Sequence, residues 1–149
     1  MSQMAPRPPP IFSIIPPPAV YAVTFLLGWG LTWLGLPRPA WIGAQGVNWL
    51  GLVLIILGLF LAVASAGLFA SRGTTLNPAG EPSRFVEDGA YRWTRNPMYV
   101  GMTAVYCGAA LALGQAWTLA LVVLPWSSTN WITIPFEEQR LARDVRPDL

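Results

Sequence analysis

Glu137 and Glu138 stand side by side where a long uncharged stretch ends. Two adjacent carboxylates beside apolar chain repel each other and resist desolvation, so the pair asks for a cation, either a nearby arginine or a charged ligand. They belong to the run Pro135-Phe-Glu-Glu-Gln-Arg-Leu141. A second polar run, Gly89-Ala-Tyr-Arg-Trp-Thr-Arg-Asn-Pro-Met-Tyr-Val-Gly101, leads into the same stretch from its other end. Pro97 suits the first turn of a helix, where its missing donor costs nothing, and the free N–H groups of such a turn attract an anion or the polar edge of a ligand. The ordinary alternative is a set of interfacial residues, with Tyr91, Trp93 and Tyr99 in an aromatic belt. Either patch alone supports both readings. Together, at one face, they favour a ligand site.

The elements that must bring the patches together are apolar. Of 149 residues 54% are hydrophobic and only 11% charged, against roughly 25% charged in an average soluble domain, which predicts a chain dissolved mainly in lipid. A Pro-rich arm, residues 1–18, cannot form regular helix and reads as polyproline-like or disordered. Its proline clusters also argue against a cleaved signal peptide. The rest, residues 19–149, reads as one membrane domain. Uncharged runs predict spans near 19–36 and 47–70, each close to the ~20 residues a helix needs to cross hydrocarbon. No residue from Asn96 to Phe136 is charged. One helix of that length would rise ~60 Å, twice the hydrocarbon thickness, so the stretch must fold back. Gly114, Gln115 and Ala116 supply the turn, which gives spans near 98–113 and 117–134.

The predicted fold is therefore all-α: a polytopic membrane protein of about four transmembrane helices, with a cytoplasmic loop (Ser71 to Arg95) and a short cytoplasmic C-terminal tail. Eight of the arginines fall on the side of the arm, loop and tail, and Arg38 alone on the other, so both termini are expected in the cytoplasm. Every basic residue is arginine, a composition that points to a bacterial inner membrane.

Several classes are disfavoured. A net charge of +2, spread along the chain, is no footprint for nucleic acid. Without histidine, and with the single cysteine Cys107 in an apolar run, no metal site is expected. Cys107 reads as a packing residue. A transporter would be expected to carry an ionisable group within a span, and none does. Gly101, Ala104, Gly108, Ala109 and Ala112 can support close helix contact within or between chains.

The string Arg95-Asn-Pro-Met-Tyr-Val-Gly101, preceded by Gly89-Ala-Tyr-Arg92 and followed one hairpin later by Glu137-Glu138-Gln-Arg-Leu141, resembles the integral-membrane isoprenylcysteine carboxyl methyltransferase and phospholipid N-methyltransferase group. Gly73-Thr-Thr-Leu-Asn-Pro78 is similar to a segment that precedes the motif in bacterial members. The resemblance implies transfer of a methyl group from S-adenosylmethionine to a lipid-like or prenylated acceptor at the cytoplasmic membrane face. It implies cofactor binding by Tyr91, Arg95, Asn96, Pro97, Tyr99, Gly101, Glu137 and Glu138, with Glu138, Arg140 and Asn130 nearest the reaction. The glutamates would hold the cofactor's ammonium and Arg95 or Arg140 its carboxylate. Gly101 would let the cofactor approach the backbone.

An acceptor arriving from the bilayer is expected in a groove between the second, third and fourth spans. Ser127, Ser128, Thr129 and Asn130, next to Pro125, either line that groove or serve helix contacts and a kink. Asn96 and Asn130 stand where many relatives carry histidine, and asparagine cannot titrate as a base. The tail ends short of the basic, aromatic segment common in relatives, which predicts a minimal member or a missing lid. The competing expectation is a non-catalytic subunit that uses the same fold to pack against a membrane-protein partner.

Overall fold

The computed structural model describes residues 15–71 and 96–135, and every regular element among them is helical. Helix α1 is Pro17–Trp33. Its opening prolines occupy the first turn, where no backbone donor is needed. It stops because Gly35 takes the left-handed conformation (φ 76°), a few residues before the predicted end of the first span. Helix α2, Gln45–Ser71, is the one helix among the described residues long and apolar enough to cross a membrane on its own. Helix α3, Pro97–Ala112, again starts on a proline. Gly114, at φ 65°, then turns the chain back. The predicted fold-back therefore falls where the glycine permits it.

The fourth span departs from expectation. In place of one helix over 117–134, the chain forms a short α4 (Ala116–Ala120), a second short helix α5 (Val123–Ser128) and a π-helical turn over Thr129–Thr133. Pro125 is the cause of the break. It has no N–H to give to the Leu121 carbonyl, which accepts from Leu124 N instead at 3.0 Å, and this tightens the chain at Leu121 and Val122.

Helices α2 and α3 pack antiparallel along a seam of paired glycines. A Cβ built on Gly101 would lie 2.7 Å from the Gly58 carbonyl oxygen, and one on Gly108 would lie 2.6 Å from that of Gly51. Each helix thus offers a glycine every seventh residue, the repeat that keeps a seam facing its partner. The small residues predicted on α3 are used within the chain.

Helix α1 runs parallel to α3. The Tyr21 hydroxyl meets Thr103 Oγ1 at 2.8 Å, and the Tyr106 ring packs edge-on against both Tyr21 and Phe25, with centroids 5.9 and 5.3 Å away. The returning segment passes Gly28, where a Cβ would overlap the Thr118 backbone. Buried positions are mostly small or hydroxylated, such as Ala110, Ser65, Thr118 and Thr129, while Trp33 is 82% exposed and Phe60 73%. Large apolar side chains outward and small residues inward is the pattern expected where the surroundings are lipid.

Candidate functional site

The described residues that flank the two polar patches lie at one end of the helices. Tyr21 and Thr103 join the second turns of α1 and α3, so the N-terminal ends of these helices lie together. The returning segment meets α1 at Gly28 through Thr118, and near the start of α1 it faces Ile15 and Ala19 through Trp131 and Ile132. Pro135 therefore finishes at the end where Asn96 and Pro97 begin α3. Tyr91, Arg95, Glu137, Glu138 and Arg140 lie outside the described residues.

At this end Asn96 precedes α3 without capping it through its side chain, and its carbonyl accepts from Tyr99 N at 3.1 Å and Val100 N at 3.3 Å. Pro97 is fully buried, and Tyr99 is only 8% exposed, so its ring faces inward rather than joining a belt. Gly101 was expected to let a cofactor approach the backbone. The close approach it makes is to α2, through Gly58 and Ala62.

A hydrogen-bonded chain beneath this end involves residues that sequence reasoning did not single out. Thr103 Oγ1 donates to the Tyr99 carbonyl at 2.9 Å. Its one proton is thereby committed, so the Tyr21 hydroxyl is the donor in the Tyr21–Thr103 contact. Tyr106, 4% exposed, lies beside Thr24, yet its hydroxyl has no well-formed hydrogen bond among the described residues. The usable signal was a tyrosine within each of two uncharged apolar runs.

The polar patch of the fourth span divides. Thr129 Oγ1 donates to the Pro125 carbonyl at 2.8 Å, and Asn130 Nδ2 to the Trp126 carbonyl at 2.9 Å. These side chains cover carbonyls that a π-turn leaves poorly served, and Ile134 N reaches back to the Thr129 carbonyl in the wide π pattern. Asn130 keeps its carboxamide oxygen for another partner.

Ser127 and Ser128 face a crevice of about 440 Å³. Its walls are Ala19, Val20 and Val23 of α1 against Leu124, Trp131 and Ile132 of the fourth span. The groove was expected between the second, third and fourth spans. The crevice seen among the described residues lies instead between the first and fourth, while the glycine seam brings α2 and α3 backbone to backbone along their contact.

Among the described residues these features define an all-helical fold suited to lipid, with the segments that lead to the two polar runs at one end. The profile of the phospholipid methyltransferase family matches residues 47–145, most of the chain. The chain belongs to that family of membrane-bound methyltransferases. No curated protein and no solved structure matches it.

Proposed function

We propose that the chain transfers a methyl group from S-adenosylmethionine to a lipid-like acceptor at the cytoplasmic face of the membrane. The observation that carries this is the meeting of the α3 entrance (Asn96, Pro97) with the exit of the fourth span (Pro135) at one end of the helices. It supports reading the run before α3, with Arg92 and Arg95, and the glutamate pair after Pro135 as parts of one site.

The residue chemistry fits the cofactor. Glu137 and Glu138 supply negative charge for its ammonium, and Arg95 or Arg140 supplies a forked donor for its carboxylate. Tyr91 supplies an aromatic face suited to the base or ribose, and Asn96 an amide suited to the cofactor's polar edge. Pro97 and Tyr99, both buried, anchor the start of α3 so that Asn96 is held in place. When bound, S-adenosylmethionine supplies an already activated methyl group on its sulfonium. What remains for the protein is to hold the acceptor in line, exclude water and orient the ends of the cofactor. Glu138, Arg140 and Asn130 are the residues proposed nearest the acceptor.

The test is equilibrium binding of labelled S-adenosylmethionine to the full chain in detergent, for wild type, Glu138→Ala and Arg95→Ala, alongside label transfer into vesicles of phosphatidylethanolamine and phosphatidylglycerol. Binding by wild type that is lost in both variants supports the reading. Binding unchanged in Glu138→Ala removes the proposed site.

A further inference from the structure

The crevice between α1 and the fourth span narrows to a point. At Gly28 and Thr118 the two backbones touch so closely that no side chain fits between them. Toward the other end of α1 they part, leaving about 440 Å³ between them. The wall from Ile15 to Thr24 runs ~13 Å along the helix axis. Among the described residues the gap is thus an elongated wedge that closes at Gly28 and lies toward the end that carries Asn96 and Pro135.

Its chemistry selects hydrocarbon. The lining is apolar except for the hydroxyls of Thr24, Ser127 and Ser128, and Thr24 spends its proton on the Val20 and Tyr21 carbonyls at 2.8 and 3.1 Å. Water in such a space would forgo most of its hydrogen bonds, and an empty space would forfeit packing contacts on both walls. An extended hydrocarbon chain fills a narrow wedge without either loss.

Position selects which chain. Ile132 lines the crevice and Glu137 follows five residues later, a separation that extended backbone can span with at most ~18 Å. A lipid whose tail lies between α1 and the fourth span therefore presents its headgroup within reach of the glutamate pair. The α1 wall also lies outside the stretch matched by the family profile, which begins at residue 47.

We infer that this crevice is the seat of one hydrocarbon chain of the methyl acceptor, with Val20 and Val23 forming the wall that sets which chains fit. The inference rests on the methyl-transfer reading for the identity of the lipid, while the seat itself is tested separately. The full chain is placed in vesicles of phosphatidylethanolamine and phosphatidylglycerol containing phosphatidylethanolamine with a photoreactive diazirine on an acyl chain, and labelled residues are mapped by mass spectrometry. Label is expected on Val20, Val23, Leu124 and Ser127 and should still form there when photolysis follows exchange into detergent, unlike label on the outer face of α2. Val23→Trp fills the wedge from a residue already exposed, so the fold should survive. It should cut both crevice labelling and methyl incorporation about tenfold or more, as blocked apolar pockets do, with S-adenosylmethionine binding retained. Val53→Trp, on the outward face of α2, should change neither. Label spread evenly over all outward apolar residues would overturn the seat, and so would a crevice left unlabelled because the N-terminal arm fills it. Labelling lost in Val23→Trp with methyl incorporation intact would show an ordinary bilayer lipid there and overturn the acceptor assignment. Failure of wild type to bind S-adenosylmethionine would remove the functional reading while leaving the labelling pattern to judge the seat.

Discussion

Gly101 of α3 faces the carbonyl oxygen of Gly58 in α2 so closely that a methyl group at Gly101 would sit 2.7 Å from it and 2.9 Å from the Ala62 nitrogen. Both contacts are backbone, so neither can swing aside as a flexible side chain would. Gly101→Ala must push the helices apart along the seam, and overpacking of this kind costs about 1–3 kcal/mol. Among the described residues Gly67 has nothing within 4 Å of the same position. Gly67→Ala should therefore hold or slightly raise stability, since alanine restricts the unfolded chain. Denaturant titration of both variants in one detergent separates them, and equal stabilities would refute the seam.

Gly28 and Gly30 make a sharper pair because they are two residues apart on α1. A Cβ on Gly28 would lie 2.6 Å from Thr118 N, while one on Gly30 meets nothing within 4 Å. Gly28→Ala is expected to weaken the docking of α4 on α1 and speed amide exchange around Thr118. Gly30→Ala should leave exchange there unchanged, which makes hydrogen exchange by mass spectrometry the decisive reading.

Two tyrosine hydroxyls, one bonded across helices and one without a well-formed bond among the described residues, should respond in opposite senses. Tyr21 donates to Thr103, so Tyr21→Phe removes a bond between α1 and α3 that averages ~0.6 kcal/mol in membrane proteins. The Tyr106 hydroxyl is buried without a well-formed bond among the described residues. Tyr106→Phe should be neutral or stabilising, because removing an unsatisfied buried polar atom recovers its desolvation cost. A larger loss for Tyr106→Phe than for Tyr21→Phe in thermal unfolding would contradict the assignment.

What could be read ahead of the structure followed from signals that need no partner. The uninterrupted apolar run from Val47 is a helix whatever it touches, and Gly114 marks a turn because few other residues accept its backbone angles. The family motif around Arg95 and Glu137 was also legible, since residue order carries it. Features that depend on pairing were not. Gly101 and Gly108 advertise close packing, but only the structure supplies Gly58 and Gly51 as their partners. Tyr21 in an apolar run reads as an interfacial residue until Thr103 is found opposite it. Pro125 announces a disturbance without its form, because the π-turn depends on Thr129 and Asn130 turning back onto their own helix.

That π-turn fixes the direction in which the chain leaves the fourth span. A π-turn carries one residue more than the α-turn it replaces, so deleting Thr133 lets the segment close as α-helix with the bearing beyond it nearly kept, whereas inserting an alanine after Pro135 leaves the π-turn in place and rotates a helical continuation by about 100° relative to α5. Under the proposed function the insertion turns the glutamate pair off its bearing, and S-adenosylmethionine binding should be lost. The α2–α3 seam should keep its exchange protection, since the insertion touches neither helix. The Thr133 deletion, which keeps the bearing, should retain much of the binding. Asn130→Ala removes only the side chain bonded to the Trp126 carbonyl, leaving that carbonyl short of a partner at a cost of about 0.5–1.5 kcal/mol. It should speed exchange of the Ile134 amide while binding falls only slightly. If the insertion binds S-adenosylmethionine as wild type does, the bearing of the chain leaving the fourth span does not aim the glutamate pair, and the link between the bent fourth span and the site is wrong.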